Sequence, residues 1–257
     1  MTIIPPYLQK GDLIGITCPA SYMSRENAEK CIASLQQWGY EVMVGKTLGS
    51  SSKNYFSATD EERTDELQAM LDDKNIRAII FGRGGYGTGR IIDRLDFKKF
   101  KKHPKWIIGF SDITLLHSHL FTRLNMASIH GPMAIGFNKG KSDTASIVSL
   151  REIIAGKKSA YTCKPTKHNR IGTAKGVLVG GNLALLVNAI GTPSEVDMRG
   201  KLLFIEDVGE YLYALDRMFY QLKRSGKLAK LSGLILGGFT DLKDTERPFG
   251  KNFREML

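Results

Sequence analysis

The sequence predicts an α/β fold: an N-terminal Rossmann-like (flavodoxin-like) domain built on a parallel sheet, then a smaller mixed α/β C-terminal domain. Three observations predict it. Short apolar runs alternate with segments of helical period through the first half. A polar, basic and weakly periodic stretch over residues 138–170 interrupts them. A second, shorter alternation follows. The expected organisation is therefore a first domain over residues 1–140, a linker over 141–170 and a second domain over 171–257.

Residues 12–18 (DLIGITC) read as a buried strand, and residues 24–38 as a helix that Gly39 stops. Residues 40–44 form a second strand. Residues 59–72 form a helix opened by Thr59, with Glu62 placed three positions on for a capping box. Residues 76–81 (IRAIIF) are a third strand, followed by a glycine-rich turn and a helix through Leu95. Residues 106–110 are a fourth strand and 112–124 a helix. A short helix is expected over 146–154, inside the otherwise aperiodic stretch. In the second domain, strands are expected at 174–179, 202–206 and 231–236, with helices at 182–190 and 212–225.

Composition narrows the function. The chain has 257 residues, 42% of them hydrophobic and 25% charged, as in ordinary globular proteins. No apolar run reaches the roughly 18–20 residues a membrane helix needs, and the first ten residues lack the pattern of a secretory signal. The expectation is a cytoplasmic protein without a membrane partner. Cys18, Cys31 and Cys163 are widely spaced, form no C-x-x-C pair and read as buried reduced thiols. The net charge of +11 is dispersed. Its densest patch, residues 98–105, reads as a solvated run, and no nucleic-acid motif accompanies it. An anionic substrate fits the charge as well.

Three constellations carry chemistry. Gly82-Arg83-Gly84-Gly85-Tyr86-Gly87 directly follows a strand. It spells G-x-G-x-x-G, yet residues 105–110 supply no acid for a ribose, so a dinucleotide site is rejected and no cofactor is expected. The remaining readings are a tight turn that needs glycine, or backbone N–H groups brought close to a developing negative charge. Gly109-Phe110-Ser111-Asp112-Ile113 sits between a strand and an apolar helix, the context of a nucleophile elbow. A serine in that place can equally be a helix cap. Leu203-Phe204-Ile205-Glu206-Asp207 ends an apolar strand in acids, where sites of open α/β sheets gather. Residues 211–222 read as an amphipathic packing helix. His117 and His119 stand two apart, the wrong spacing for shared metal ligation, and no metal site is expected. His130 falls after a short strand near the sheet edge, and neither it nor His103 or His168 has the context of a general base.

Taken together, the chain resembles the L,D-carboxypeptidase family, which includes the microcin-immunity peptidases. The matching pieces run in order: Pro5-Pro6, Lys10-Gly11-Asp12, Arg83 to Gly87, Gly109 to Thr114, His130-Gly131-Pro132, Gly180-Gly181-Asn182-Leu183, Leu203 to Asp207, and Gly237-Gly238-Phe239. The resemblance implies a serine peptidase with a Ser-Glu-His triad. Ser111 is then the nucleophile and Glu206 the acid that orients the histidine. The backbone of Asp112 and of the Gly84-Gly85 turn forms the oxyanion hole, and Tyr86 and Asn182 are carried over as substrate-binding residues. The implied reaction removes the terminal D-alanine from a murein tetrapeptide during peptidoglycan recycling, and the implied assembly is a homodimer. The family's histidine lies in a glycine-rich segment after the Gly-Gly-Phe strand. The 257 residues end before such a segment, so the expectation is a second domain lacking its C-terminal end, no third triad member and a doubtful activity for this chain. The alternatives are an immunity-type peptidase that cleaves a peptidyl-nucleotide conjugate, and a non-catalytic muropeptide-binding module.

Overall fold

The computed structural model describes residues 2–138 and 144–256. The chain divides into two compact units, Met1–Ala160 and Tyr161–Leu257. The expected edge between residues 140 and 141 lies outside the described residues.

The first unit runs β1 (Leu13–Thr17), α1 (Glu29–Gln37), β2 (Glu41–Val44), α2 (Asp60–Asp72), β3 (Ile76–Phe81), α3 (Thr88–Ile91), α4 (Lys98–Lys102), β4 (Trp106–Gly109), α5 (Thr114–Leu124), β5 (Ile129–His130) and α6 (Ala145–Ile154). All five strands are parallel, in the order β2-β1-β3-β4-β5. This is the flavodoxin-like order, and the parallel sheet explains why β4 is apolar along its length and β3 from Ala78 onward: both faces are covered. Ile14, Ile16, Ala78, Ile80 and Ile108 lie on one face, in a core completed by Cys31 and Leu35 of α1.

Local chemistry sets the helix ends. Thr59 accepts from the Glu62 N–H while Glu62 accepts from the Thr59 N–H, so the expected capping box forms. Asp60, Glu61 and Glu62 fill the first turn of α2, where the helix dipole favours negative charge. Asn125, at φ +50°, ends α5 in the left-handed conformation that asparagine tolerates. The helix expected through Leu95 is shorter: α3 gives way to a 3₁₀ turn over Ile92–Arg94, consistent with Gly89 inside it lowering its helix propensity. The basic run is not wholly solvated. Lys105 is buried, and its ammonium donates to the carbonyls of Met70, at 2.8 Å, and Asp73, at the C-terminal end of α2. Of the cysteines, Cys18 and Cys31 are buried as expected but Cys163 is exposed.

The second unit runs β6 (Leu178–Asn182), α7 (Leu183–Asn188), β7 (Leu202–Val208), α8 (Leu212–Arg224), β8 (Gly233–Thr240) and α9 (Phe253–Met256). Its three strands are parallel, in the order β6-β7-β8. The strand expected at 174–179 forms later, because Gly180 and Gly181 belong to the strand and not to a turn. They take φ of +130° and +140°, and a Cβ on Gly180 would stand 1.8 Å from the Phe204 carbonyl oxygen. Only glycine lets β6 approach β7 this closely. In α8, Ala214, Leu215, Met218, Phe219 and Leu222 are buried while Tyr213 and Tyr220, like the N-cap Tyr211, are exposed, the amphipathic packing that the sequence predicts.

Candidate active site

In an open parallel sheet, ligands gather beyond the C-terminal strand ends where the strand order reverses. Here that point lies between β1 and β3. The segment after β1 (residues 18–23) and the glycine turn after β3 (residues 82–87) meet there, and the turn after β4 joins them.

Ser111 stands at that third turn. Phe110 is extended, Ser111 adopts φ +59°, and a 3₁₀ turn over Ser111–Ile113 runs into α5. A non-glycine residue in the left-handed region costs on the order of 1 kcal/mol and marks a turn held for a purpose. Ser111 is the first residue of that turn and not its cap, which is Phe110, and its hydroxyl has no hydrogen-bond partner among the described residues. That sets aside the capping reading and leaves the geometry of a nucleophile elbow.

The glycine turn closes on this serine. A Cβ on Gly84 would lie 2.9 Å from Ser111 Cβ and 3.0 Å from Ser111 Oγ. Gly85, at φ +106°, packs against Ser21, and Gly87, at φ +150°, against the guanidinium of Arg63. Three side chains hold the turn. Ser21 Oγ donates to the Gly84 carbonyl at 2.6 Å. Arg63, fully buried, donates to the carbonyls of Pro19 and, at 3.2 Å, Gly87. The Asp112 carboxylate accepts from the Thr88 N–H at 2.8 Å, tying the elbow to the far end of the turn. Burial pushes the Asp112 carboxyl up, and its bonds to Thr88 pull it back. The N–H groups of Gly85 and Asp112 have no acceptor among the described residues. Tyr86 is 54% exposed, with its ring 6.0 Å from that of Phe56.

Ser21 and Arg63 escaped the sequence reading. Ser21 sits in a loop without a motif. Arg63 falls on a helix rich in charge, where nothing in the residue pattern separates a buried guanidinium from a solvated one.

In the second unit, Glu206 lies within β7, since the strand runs two residues beyond the expected end. Ile205 pairs with Leu236 and Asp207 with Phe239, so Gly237 and Gly238 together oppose Glu206. Such a bulge re-aims a side chain, and bulges favour the neighbourhood of sites. A Cβ on Gly237 would stand 3.2 Å from Glu206 Cβ, so glycine gives the acid its clearance. Burial, then the neighbouring Asp207 charge, push Glu206 up to about 7, partly offset by a hydrogen bond from Asn182. Asn182 is buried. Its amide oxygen accepts from the Leu185 N–H at 3.2 Å, and its NH₂ donates to Asp207 at 2.9 Å. Asp207 also accepts from the N–H groups of Ala184 and Val208. Asn182 therefore braces the acidic strand end.

Two histidines of the first unit, His117 and His130, are held neutral. Burial drives His117 and His130 down to about 4. His117 bonds the Gly109 carbonyl through Nε2 at 2.9 Å, which holds the strand end before the elbow. His130 is at the sheet edge as expected, but within the edge strand β5 and not after it, paired in register with Gly109. His168 is exposed in the second unit. Among the described residues, no cluster of His, Cys, Asp or Glu could hold a metal ion, and no helix is long and apolar enough to cross a membrane.

Comparison with known proteins agrees with this anatomy. Residues 14–131 match the LD-carboxypeptidase N-terminal domain family, and residues 175–257 match the LD-carboxypeptidase C-terminal domain family. A probable murein peptide carboxypeptidase of Bacillus subtilis (strain 168) is 36% identical, over 98% of this chain and 80% of its own. The murein tetrapeptide carboxypeptidase of Pseudomonas aeruginosa is 31% identical, over 89% of this chain and 76% of its own. The crystal structure of a muramoyltetrapeptide carboxypeptidase from Oxalobacter formigenes superposes with a TM-score of 0.85 at 31% identity. That match covers 95% of this chain and 82% of the other.

Proposed function

This chain belongs to the LD-carboxypeptidase family, and we propose that it is a serine L,D-carboxypeptidase that removes the terminal D-alanine from murein tetrapeptides. One observation carries the serine assignment: Ser111 at φ +59° on the turn after β4, with Gly84 packed against it.

In this reading Ser111 Oγ attacks the amide carbonyl between the L-centre of the diamino acid and D-alanine. The N–H groups of Gly85 and Asp112 stabilise the oxyanion. Glu206 orients the neutral imidazole that takes the serine proton, and the imidazolium so formed passes it to the departing amine. D-Alanine leaves, and water releases the tripeptide acyl group from Ser111. The family pattern gives the base role to a histidine C-terminal to the Gly237-Gly238-Phe239 strand. Tyr86, exposed beside the turn, contacts the peptide, and Asn182 acts on substrate through Glu206. A net charge of +11 suits a substrate rich in carboxylates. The same reading puts the reaction in the cytoplasm, in peptidoglycan recycling, with a homodimer as the working form.

The test is D-alanine release from a murein tetrapeptide, followed by mass spectrometry with the full gene product. Release from the L,D-bond, with a D,D-linked pentapeptide left intact, is expected. Hydrolysis of a peptidyl-nucleotide conjugate without D-alanine release would assign the immunity-type alternative. Binding of the tetrapeptide without hydrolysis of either compound would assign the binding module.

The same assay reads the glycine turn. Gly84→Ala places a methyl 2.9 Å from Ser111 Cβ, so either the turn or the serine must move. A drop in kcat on the order of 100-fold or more is expected, since a misplacement of about 1 Å costs that much. The stability loss should stay within about 1–3 kcal/mol by thermal melting. A Gly84→Ala protein with unchanged kcat would remove the turn from the site.

A further inference from the structure

We propose that Ser21 is a positioning residue, a clamp that sets the Gly84–Gly85 peptide so that its N–H faces the oxyanion. The inference rests on Ser111 being the nucleophile.

The argument starts from the freedom of two consecutive glycines. A peptide between glycines can rotate about its flanking bonds with little steric penalty, because neither residue carries a Cβ. An oxyanion-binding N–H on such a peptide is useful only if that rotation is blocked, since catalysis of this kind depends on donors that do not reorganise. The structure blocks it on the carbonyl side. Ser21 Oγ donates to the Gly84 oxygen at 2.6 Å, and the Ser21 N–H points at the same oxygen at 3.4 Å. A flipped peptide would bring the Gly85 N–H against the Ser21 N–H, donor to donor. In a trans peptide the N–H is antiparallel to the carbonyl. With the Gly84 oxygen held at Ser21, the Gly85 N–H therefore faces the opposite side of the turn and has no acceptor among the described residues.

Three further observations fit the clamp. Ser21 is 3% exposed, so water does not compete for its hydroxyl. The contact is tight: a Cβ on Gly85 would lie 2.3 Å from Ser21 Oγ, so residue 85 must be glycine for Ser21 to reach the carbonyl. The adjoining Gly84 is the residue packed on Ser111, so the clamped peptide is next to the reacting oxygen. Ser21 itself makes no hydrogen bond to Ser111, and its effect passes through the peptide.

The test uses a fluorophosphonate. Ser111 Oγ forms a bond to phosphorus, fluoride leaves with the hydroxyl proton, and the phosphonyl oxygen takes the oxyanion position. The readouts are the maximal inactivation rate, the half-saturating probe concentration, and the labelled residue by peptide mass spectrometry. Ser21→Ala should lower the maximal rate about 10–100-fold, below the 10²–10³ of losing an oxyanion donor outright. The half-saturating concentration should change less than about threefold, a split that general loosening of the loop would not give. Ser21→Thr keeps a strong donor and Ser21→Cys a weak one, so the rates should fall in the order Ser, Thr, Cys, Ala. That order remains readable if one variant fails to fold. Labelling of Ser111 at equal rates in all folded variants overturns the clamp and leaves the serine assignment standing. Absence of labelling at Ser111 in the unaltered protein overturns the serine assignment, and the clamp with it.

Discussion

Replacing Ser111 with glycine is expected to abolish D-alanine release and at the same time stabilise the protein. The two effects have one cause. At φ +59° a serine is strained by its own Cβ, whereas glycine occupies that region freely. Removing the strain should raise the unfolding free energy by about 1 kcal/mol, read by urea denaturation. Ser111→Ala keeps the Cβ, so it should lose activity without the gain. The pair of variants separates the strain from the hydroxyl. Equal stability of the two would mean that the elbow is not strained. Strain kept at a residue whose side chain caps nothing is what a site, as opposed to a scaffold, would retain.

The second large effect is expected at Glu206, where activity and stability again move in opposite directions. The folded carboxyl, at about 7, lies above its ordinary 4.5, so the folded chain binds this proton more tightly than the unfolded one. The resulting penalty is absent below pH 4.5, grows between 4.5 and 7, and is complete above 7. Glu206→Gln removes the charge and keeps the shape. It should therefore gain on the order of 1–3 kcal/mol at pH 8 and almost nothing at pH 4, measured as a difference in unfolding free energy. It should also lose D-alanine release by about 10⁴-fold, the scale of removing the acid from a triad. A variant less stable at pH 8 than at pH 4, relative to the unaltered protein, would contradict the buried-acid account. The bulge at Gly237-Gly238 and the brace of Asn182 and Asp207 hold this acid in place despite its cost.

Much of this architecture was legible in the residue pattern, and the exceptions have physical reasons. The strands of the first unit read as apolar runs because a parallel sheet is covered on both faces, and the capping box of α2 announced itself through Thr59 and Glu62. The sequence places β6 at 174–179, whereas it forms at 178–182, because paired glycines ordinarily weaken a strand. Only the close approach to Phe204 shows why a strand needs glycines there. Lys105 looked solvated because lysine usually is, and its partners are carbonyls at a helix end more than thirty residues away. Ser111 and Glu206 are each marked in the sequence by their place toward the end of an apolar strand. Ser21 and Arg63 act through backbone carbonyls, which leave no mark on the sequence.

The central claim is that Ser111 is the nucleophile of an L,D-carboxypeptidase. The most direct test is the initial rate of D-alanine release from murein tetrapeptide by the full gene product, beside its Ser111→Ala variant of equal thermal stability. The account predicts a loss of about 10⁴-fold or more in kcat for the variant. Release by Ser111→Ala at the rate of the unaltered protein would contradict it.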